Sequence, residues 1–93
     1  MKLEKRGYSS LTDKQHDLLV GEIEYIGTVA EEYYKKRGKS ERAEMVSASR
    51  EFARALRTLE YLCFIVPAER EMYSNALADA VKEKADESDA QRR

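Results

Sequence analysis

Three arginines on one segment are the side chains of this sequence whose type and spacing best suit a chemical role. Arg50, Arg54 and Arg57 recur at intervals of four and three residues, so a helix places them along one face. A row of guanidinium groups can hold phosphate oxygens through paired hydrogen bonds. The same row can instead form ion pairs with glutamates of the preceding helix or with Glu51 and Glu60. The sequence leaves both roles open.

The sequence offers no recognisable catalytic set. Its one His and one Cys are too few for an ordinary His/Cys zinc site, and no Ser-His-Asp or Cys-His set can be argued from the one His. We expect His16 to be an exposed histidine near a helix start, because its neighbour Asp17 would not face it. Cys63 falls on an apolar stripe, which predicts a buried, inert thiol. We therefore predict a protein that is not an enzyme and that holds no metal or cofactor.

The N-terminal residues carry a second candidate site. Tyr8 lies between Gly7 and a helix start signal, with Lys5 and Arg6 close by. An aromatic ring there could stack on a base while the two cations and the helix N-terminus meet phosphate. Tyr8 could equally close one end of a helical bundle.

The elements that position these residues are helices. Apolar residues recur at helical spacing and no strand pattern occurs, so the sequence predicts an all-α fold: an antiparallel helical hairpin plus a C-terminal third helix, in one domain spanning residues 1–93. The predicted segments are an irregular basic N-terminus (1–11), helix A (12–37), helix B (40–66), helix C (68–84) and a frayed tail (85–93). The boundaries rest on a Thr12–Gln15 capping box, Gly38 as a C-terminal stop, Ser40 as an N-cap and Pro67 as a terminator.

Composition limits the partners and the location. Apolar residues make up 42% and charged residues 38% of 93 residues, with a formal net charge of −1. No segment is basic enough for a duplex-DNA footprint, and none is apolar enough for a membrane span. The absence of an apolar leader and the single Cys predict a cytoplasmic protein.

The end of helix B implies a partner surface. Residues 59–66 are apolar nearly all round, and one neighbouring helix cannot cover such a surface. A third helix or another subunit must cover it, so self-association is expected. A helical protein–protein interaction module or inhibitor, acting through this end or through helix C, is the alternative function.

Residues 6–67 resemble a known family. The residues that carry the resemblance are Arg6-Gly7-Tyr8-Ser9-Ser10-Leu11-Thr12, then Leu18-Leu19-Val20, Ile23 and Ile26-Gly27, followed by a second helix that ends in a proline, as residues 48–67 do here. This pattern is similar to that of the phage anti-CBASS cyclic-nucleotide sponges, whose hairpin domain also occurs in anti-Thoeris sponges.

The resemblance implies a non-enzymatic immune-evasion protein that sequesters a cyclic di- or oligonucleotide signal in the host-cell cytoplasm. Such proteins are all-α oligomers, typically hexamers, with pockets between subunits and a tyrosine that stacks on a base, which maps to Tyr8. Lys5, Arg6 and the arginine row of helix B would meet phosphate. Two positions depart from the family pattern: Glu24 stands where a lysine is usual, and Tyr61-Leu62-Cys63 replace an Arg-Ala pair before the proline.

Overall fold

A two-residue connection sets the first half of the fold. The computed structural model describes residue 3 and residues 10–91, and within them the chain forms α1 (Asp13–Lys36), α2 (Lys39–Tyr61) and α3 (Pro67–Gln91). With only residues 37 and 38 between them, α1 and α2 form a hairpin, and α3 packs mainly against α1. The predicted all-α fold, a hairpin plus a third helix, is confirmed.

The start of α1 is the predicted capping box. The Thr12 hydroxyl oxygen accepts the Gln15 backbone N–H at 3.1 Å, and the Gln15 side-chain oxygen accepts the Thr12 backbone N–H at 2.9 Å. Each bond satisfies a backbone donor that has no partner inside the helix, so the two residues fix the helix start together.

The turn between α1 and α2 differs from the prediction. Arg37, and not Gly38, adopts the left-handed conformation that ends α1, with φ 54°. Gly38 is the N-cap of α2 with φ −80°, and Ser40 lies inside α2. Arg37 is held there because its guanidinium lies 5.0 Å from the centre of the Tyr34 ring, a cation–π distance, and its backbone N–H bonds the Tyr33 carbonyl.

The predicted end of helix B at residue 66 is wrong. The helix ends at Tyr61, and residues 62–66 form a linker in which Cys63 has φ 63°. Pro67 is the first residue of α3 rather than the terminator of α2. The physical reason is that proline suits the first position of a helix, where its missing N–H would have no helical partner.

The predicted frayed tail is also wrong for residues 85–91, which continue α3 to Gln91. Two contacts with the α1 end hold this last part of the helix. The Ser88 hydroxyl donates to the Tyr34 carbonyl at 3.0 Å, and Asp89 lies 3.7 Å from the Arg37 guanidinium.

The core follows the predicted apolar stripes in its centre. Ile23 and Ile26 of α1, Phe52 and Leu56 of α2 and Tyr73 of α3 are buried together. The other predicted apolar residues of α3 pack against this cluster; they are Met72, Ala76, Leu77, Ala80 and Val81. None of the described helices is both long and apolar enough to cross a membrane.

Candidate functional site

The arginine row lies on the outer face of α2. Arg50, Arg54 and Arg57 are exposed, and the first two line an open groove of about 730 Å³. Lys39 and Arg42 line the same groove, so the basic surface extends along α2 toward its N-terminus. The sequence analysis missed these two cations, although the interval of eight residues between Arg42 and Arg50 places them on one helix face.

Of the two roles that the sequence leaves open for the arginine row, the ion pairs within the chain are not observed. Within the part of the chain that the structure describes, Arg50, Arg54 and Arg57 form no ion pair. Glu60, one of the carboxylates that the row could reach, instead accepts a hydrogen bond from Arg70 of α3, with 2.7 Å between Glu60 Oε2 and Arg70 Nε. The α1 glutamates are also engaged elsewhere: Glu31 bonds Lys35 and Lys84, and Glu32 bonds Lys36.

The two lysines that contact Glu31 also shift its titration. The hydrogen bond from Lys35, followed by that from Lys84, lowers the pKa of the Glu31 carboxyl. In return, the hydrogen bond to Glu31, with Glu87 nearby, raises the pKa of Lys84. The arginine row therefore faces solvent with its charge uncompensated by these carboxylates.

Glu24, the position where the family pattern has a lysine, lies away from the arginine row. It is exposed on α1 and lines a different groove, of about 220 Å³, together with Glu31, Glu83 and Lys84. Any anion held by the arginine row would not meet this carboxylate.

The candidate residues Lys5, Arg6 and Tyr8 lie outside the described residues. The arrangement therefore brings together only Arg50, Arg54 and Arg57 of the predicted set.

His16 is buried, contrary to the prediction of an exposed histidine. Its Nδ1 lies 2.6 Å from the Tyr73 hydroxyl and its Nε2 lies 2.6 Å from the Leu3 carbonyl oxygen. A carbonyl only accepts, so Nε2 carries the proton and Nδ1 accepts the Tyr73 O–H. With both ring nitrogens occupied, His16 joins α1, α3 and the N-terminal residue Leu3 and is not available as a general base.

Two buried groups of α3 complete this end of the bundle. Burial, with a smaller effect of the Glu69 charge, raises the pKa of Tyr73 to about 12. Glu69 is fully buried, and its Oε1 accepts the Val66 backbone N–H at 3.1 Å, which caps the start of α3. The positive end of the helix favours a carboxylate there. Its Oε2 has no hydrogen-bond partner among the described residues.

An apolar surface remains open around the α2–α3 linker, and we call it the linker surface. It comprises residues with large exposed side chains: Leu18, Tyr61, Leu62, Phe64 and Val66. Of the predicted apolar end, Ile65 is buried in the core and Leu59 packs partly against it. A small groove of about 260 Å³ lies within this surface, between Leu18 and Leu19 of α1 and Phe64 of the linker.

Cys63 is exposed, so the predicted buried thiol is wrong. The apolar stripe that predicted its burial is interrupted because the chain leaves the helix at Tyr61. Among the described residues there is no group of three or more metal-ligating side chains.

Comparison of the chain with family models, with curated proteins and with solved structures gave no match.

Proposed function

We propose that this protein is a non-enzymatic binding protein that sequesters a phosphate-bearing ligand, of the cyclic di- or oligonucleotide class, on the arginine row of α2. The observation that carries the proposal is that Arg50, Arg54 and Arg57 are exposed and form no ion pair in the described chain. The ligand class comes from the resemblance to phage sponges, which would make this an immune-evasion protein of the host cytoplasm.

The spacing of the row suits more than one phosphate. Successive arginines are separated by about 6 Å and about 4.5 Å along the helix axis, at 1.5 Å per residue. Each guanidinium offers paired donors to an anionic oxygen, and such charge-assisted bonds are stronger than neutral ones. Ala43 and Val46 line the same groove and offer an apolar floor to a sugar or base.

The groove lies between side chains of a single helix, α2, and is open to solvent, so it cannot enclose a small ligand by itself. The proposal therefore needs a second surface, which a neighbouring copy or the N-terminal residues would supply. The resemblance assigns base stacking to Tyr8, and the cations Lys5 and Arg6 beside it in the sequence would add phosphate contacts. Self-association up to a hexamer, through surfaces other than the arginine row, would bring such a second surface to the ligand.

Calorimetry with a panel of cyclic di- and trinucleotides tests the proposal, with release of the intact ligand on heating as a second readout. Replacing Arg50 and Arg54 together by Ala should weaken binding at least tenfold, because each hydrogen bond to a charged group contributes about 1.5–3 kcal/mol. The matched control replaces Lys35 and Lys36 by Ala, which removes two exposed cations from α1. Failure to retain any cyclic nucleotide, or equal affinity in both double variants, would refute the proposal.

The linker surface favours a second candidate, a helical interaction module. Soluble monomers rarely leave large apolar side chains clustered at the surface unless the cluster binds something. A photoreactive phenylalanine analogue in place of Leu62 should crosslink one defined partner protein in cells, and the same analogue in place of the exposed Lys14 should not. The same set of products from both positions would refute this candidate. Tyr8→Ala separates the two functions, because it should abolish nucleotide retention and leave this crosslink intact.

A further inference from the structure

The outer face of α3 carries a row of carboxylates, which we call the acidic stripe. Its members are spaced by eight, four and three residues: Glu71, Asp79, Glu83 and Asp86. All four side chains are exposed. With 3.6 residues per turn, these intervals keep the four side chains on one side of the helix.

The outer face of α2 carries the opposite charge with the same spacing. The basic stripe also has intervals of eight, four and three residues: Arg42, Arg50, Arg54 and Arg57. These four side chains are exposed as well. The two stripes are therefore complementary in both sign and position.

Neither stripe is neutralised by ion pairs among the residues that the structure describes. No member of either stripe forms an ion pair among the described residues, whereas other charges of the same helices do, such as Arg70 with Glu60 and Lys84 with Glu31. The stripes also line separate surfaces. Arg50 lines the groove on α2, whereas Glu71 and Asp79 line a groove with Leu3 that contains no α2 residue.

We propose that the basic stripe of one copy binds the acidic stripe of a second copy, with α2 and α3 parallel. In this register each arginine faces one carboxylate, in the pairs Arg42–Glu71, Arg50–Asp79, Arg54–Glu83 and Arg57–Asp86. An antiparallel arrangement would reverse the order of the intervals and would not align all four pairs.

The intervening positions are compatible with this register. The wide interval places Val46 opposite Asn75, which brings no like charges together. Two cations lie near the acidic stripe. Lys82 lines the groove between α2 and α3 and falls opposite the uncharged Ala53. Lys84, which lines a groove with Glu83, falls opposite the uncharged Ala55.

The contact is heterologous, because each copy offers a different face to each neighbour. Such contacts repeat and produce a ring when the rotation closes, or an open chain when it does not. Exposed ion pairs are individually weak and are screened by salt, so the association should be strongest at low ionic strength.

The contact goes beyond the proposed nucleotide function and does not depend on it. It uses Arg50 and Arg54, so a phosphate-bearing ligand on the arginine row competes with the second copy. The acidic stripe takes no part in nucleotide retention. Variants of Asp79 and Glu83 therefore test self-association separately from ligand binding.

Sedimentation velocity at about 20 mM and about 500 mM salt, over a range of protein concentrations, tests the proposal. The wild type should associate at low salt, and its association constant should fall at least tenfold at high salt. Arg50→Glu with Arg54→Glu should remove association, as should Asp79→Arg with Glu83→Arg. A mixture of these two double variants should associate again, because each then presents a face that complements the other.

The control replaces Asp17 and Glu22, exposed carboxylates of α1, by Lys, and makes the same change in net charge as the acidic-stripe variant. It should associate like the wild type. A wild type that stays monomeric at low salt, a mixture that fails to restore association, or a control that loses it would overturn the proposal. Circular dichroism of every variant verifies that the helices are intact. If a double variant loses helix, the corresponding double Ala variant replaces it, and the same loss of association is expected.

Discussion

Removal of one oxygen atom from the buried end of the bundle should measurably destabilise the protein. In Tyr73→Phe the ring remains in place, and only the hydroxyl that donates to His16 Nδ1 at 2.6 Å is lost. Tyr73 is 0% exposed and His16 is 7% exposed, so water has little access to the nitrogen left without a donor. An unsatisfied buried polar group costs about 1–3 kcal/mol, and we expect the substitution to reduce the free energy of unfolding by that amount.

Thermal unfolding followed by circular dichroism measures the effect. For a domain of this size each kcal/mol lowers Tm by about 4–8 °C. Tyr61→Phe is the matched control, because it removes the same atom from a side chain that is 86% exposed. Its effect should stay within about 0.5 kcal/mol.

A double-mutant cycle then isolates the bond itself. In a His16→Leu background the Tyr73 hydroxyl has lost its acceptor, so Tyr73→Phe should cost little or should stabilise the protein. The reasoning is refuted if Tyr73→Phe lowers Tm no more than Tyr61→Phe does, or if it costs the same in both backgrounds.

Three further predictions concern caps and titrating groups. Thr12→Ala removes one half of the α1 capping box and should cost about 1 kcal/mol in urea unfolding; an unchanged midpoint would contradict the role of the cap. Because the folded-state pKa of Tyr73 is about 12, against about 10 unfolded, its contribution to stability is complete below pH 10 and is lost between about pH 10 and 12. Wild type should therefore lose more stability across that window than Tyr73→Phe, and equal losses would contradict this. The bonds from Lys35 and Lys84 lower the pKa of Glu31, so the stability that Glu31→Gln removes is present at neutral pH and disappears as the carboxyl protonates. The stability difference between wild type and Glu31→Gln should shrink in acid unfolding scans below about pH 4, and a constant difference would argue against it.

The sequence was informative where a pattern is local. The helical spacing of Ile23 and Ile26, and of Phe52 and Leu56, predicted the buried faces of α1 and α2. The capping box of Thr12 was predicted for the same reason, since all its atoms lie within one turn.

The errors occur where a residue's environment depends on a distant element. His16 bonds Tyr73, which lies 57 residues further along the chain, and no residue near His16 in the sequence indicates that partner. Whether Glu60 pairs with the arginine row could not be decided from the sequence, because its partner is Arg70 on α3. A proline can follow the last residue of one helix or be the first residue of the next. The sequence alone did not show that Pro67 begins α3 and that α2 ends earlier, at Tyr61.

The candidate site was predicted in part. The helical row of Arg50, Arg54 and Arg57 follows from spacing alone, and the structure places it on an exposed face. That the row forms no ion pair with the described carboxylates depends on the three-dimensional arrangement of α1 and α3. Lys5, Arg6 and Tyr8 stay predictions.

The packing of α3 mainly against α1 has a consequence for the order of folding. The first hairpin can close quickly, because only Arg37 and Gly38 separate its helices. By itself, however, it leaves Ile23 and Ile26 without the side chains of α3 that bury them. The contacts of His16 with Tyr73 and of Tyr34 with Ser88 each close a chain segment of more than 50 residues. The chain must lose the conformational entropy of that segment before the contact can stabilise the fold. Docking of α3 is therefore the step that should limit the rate of folding.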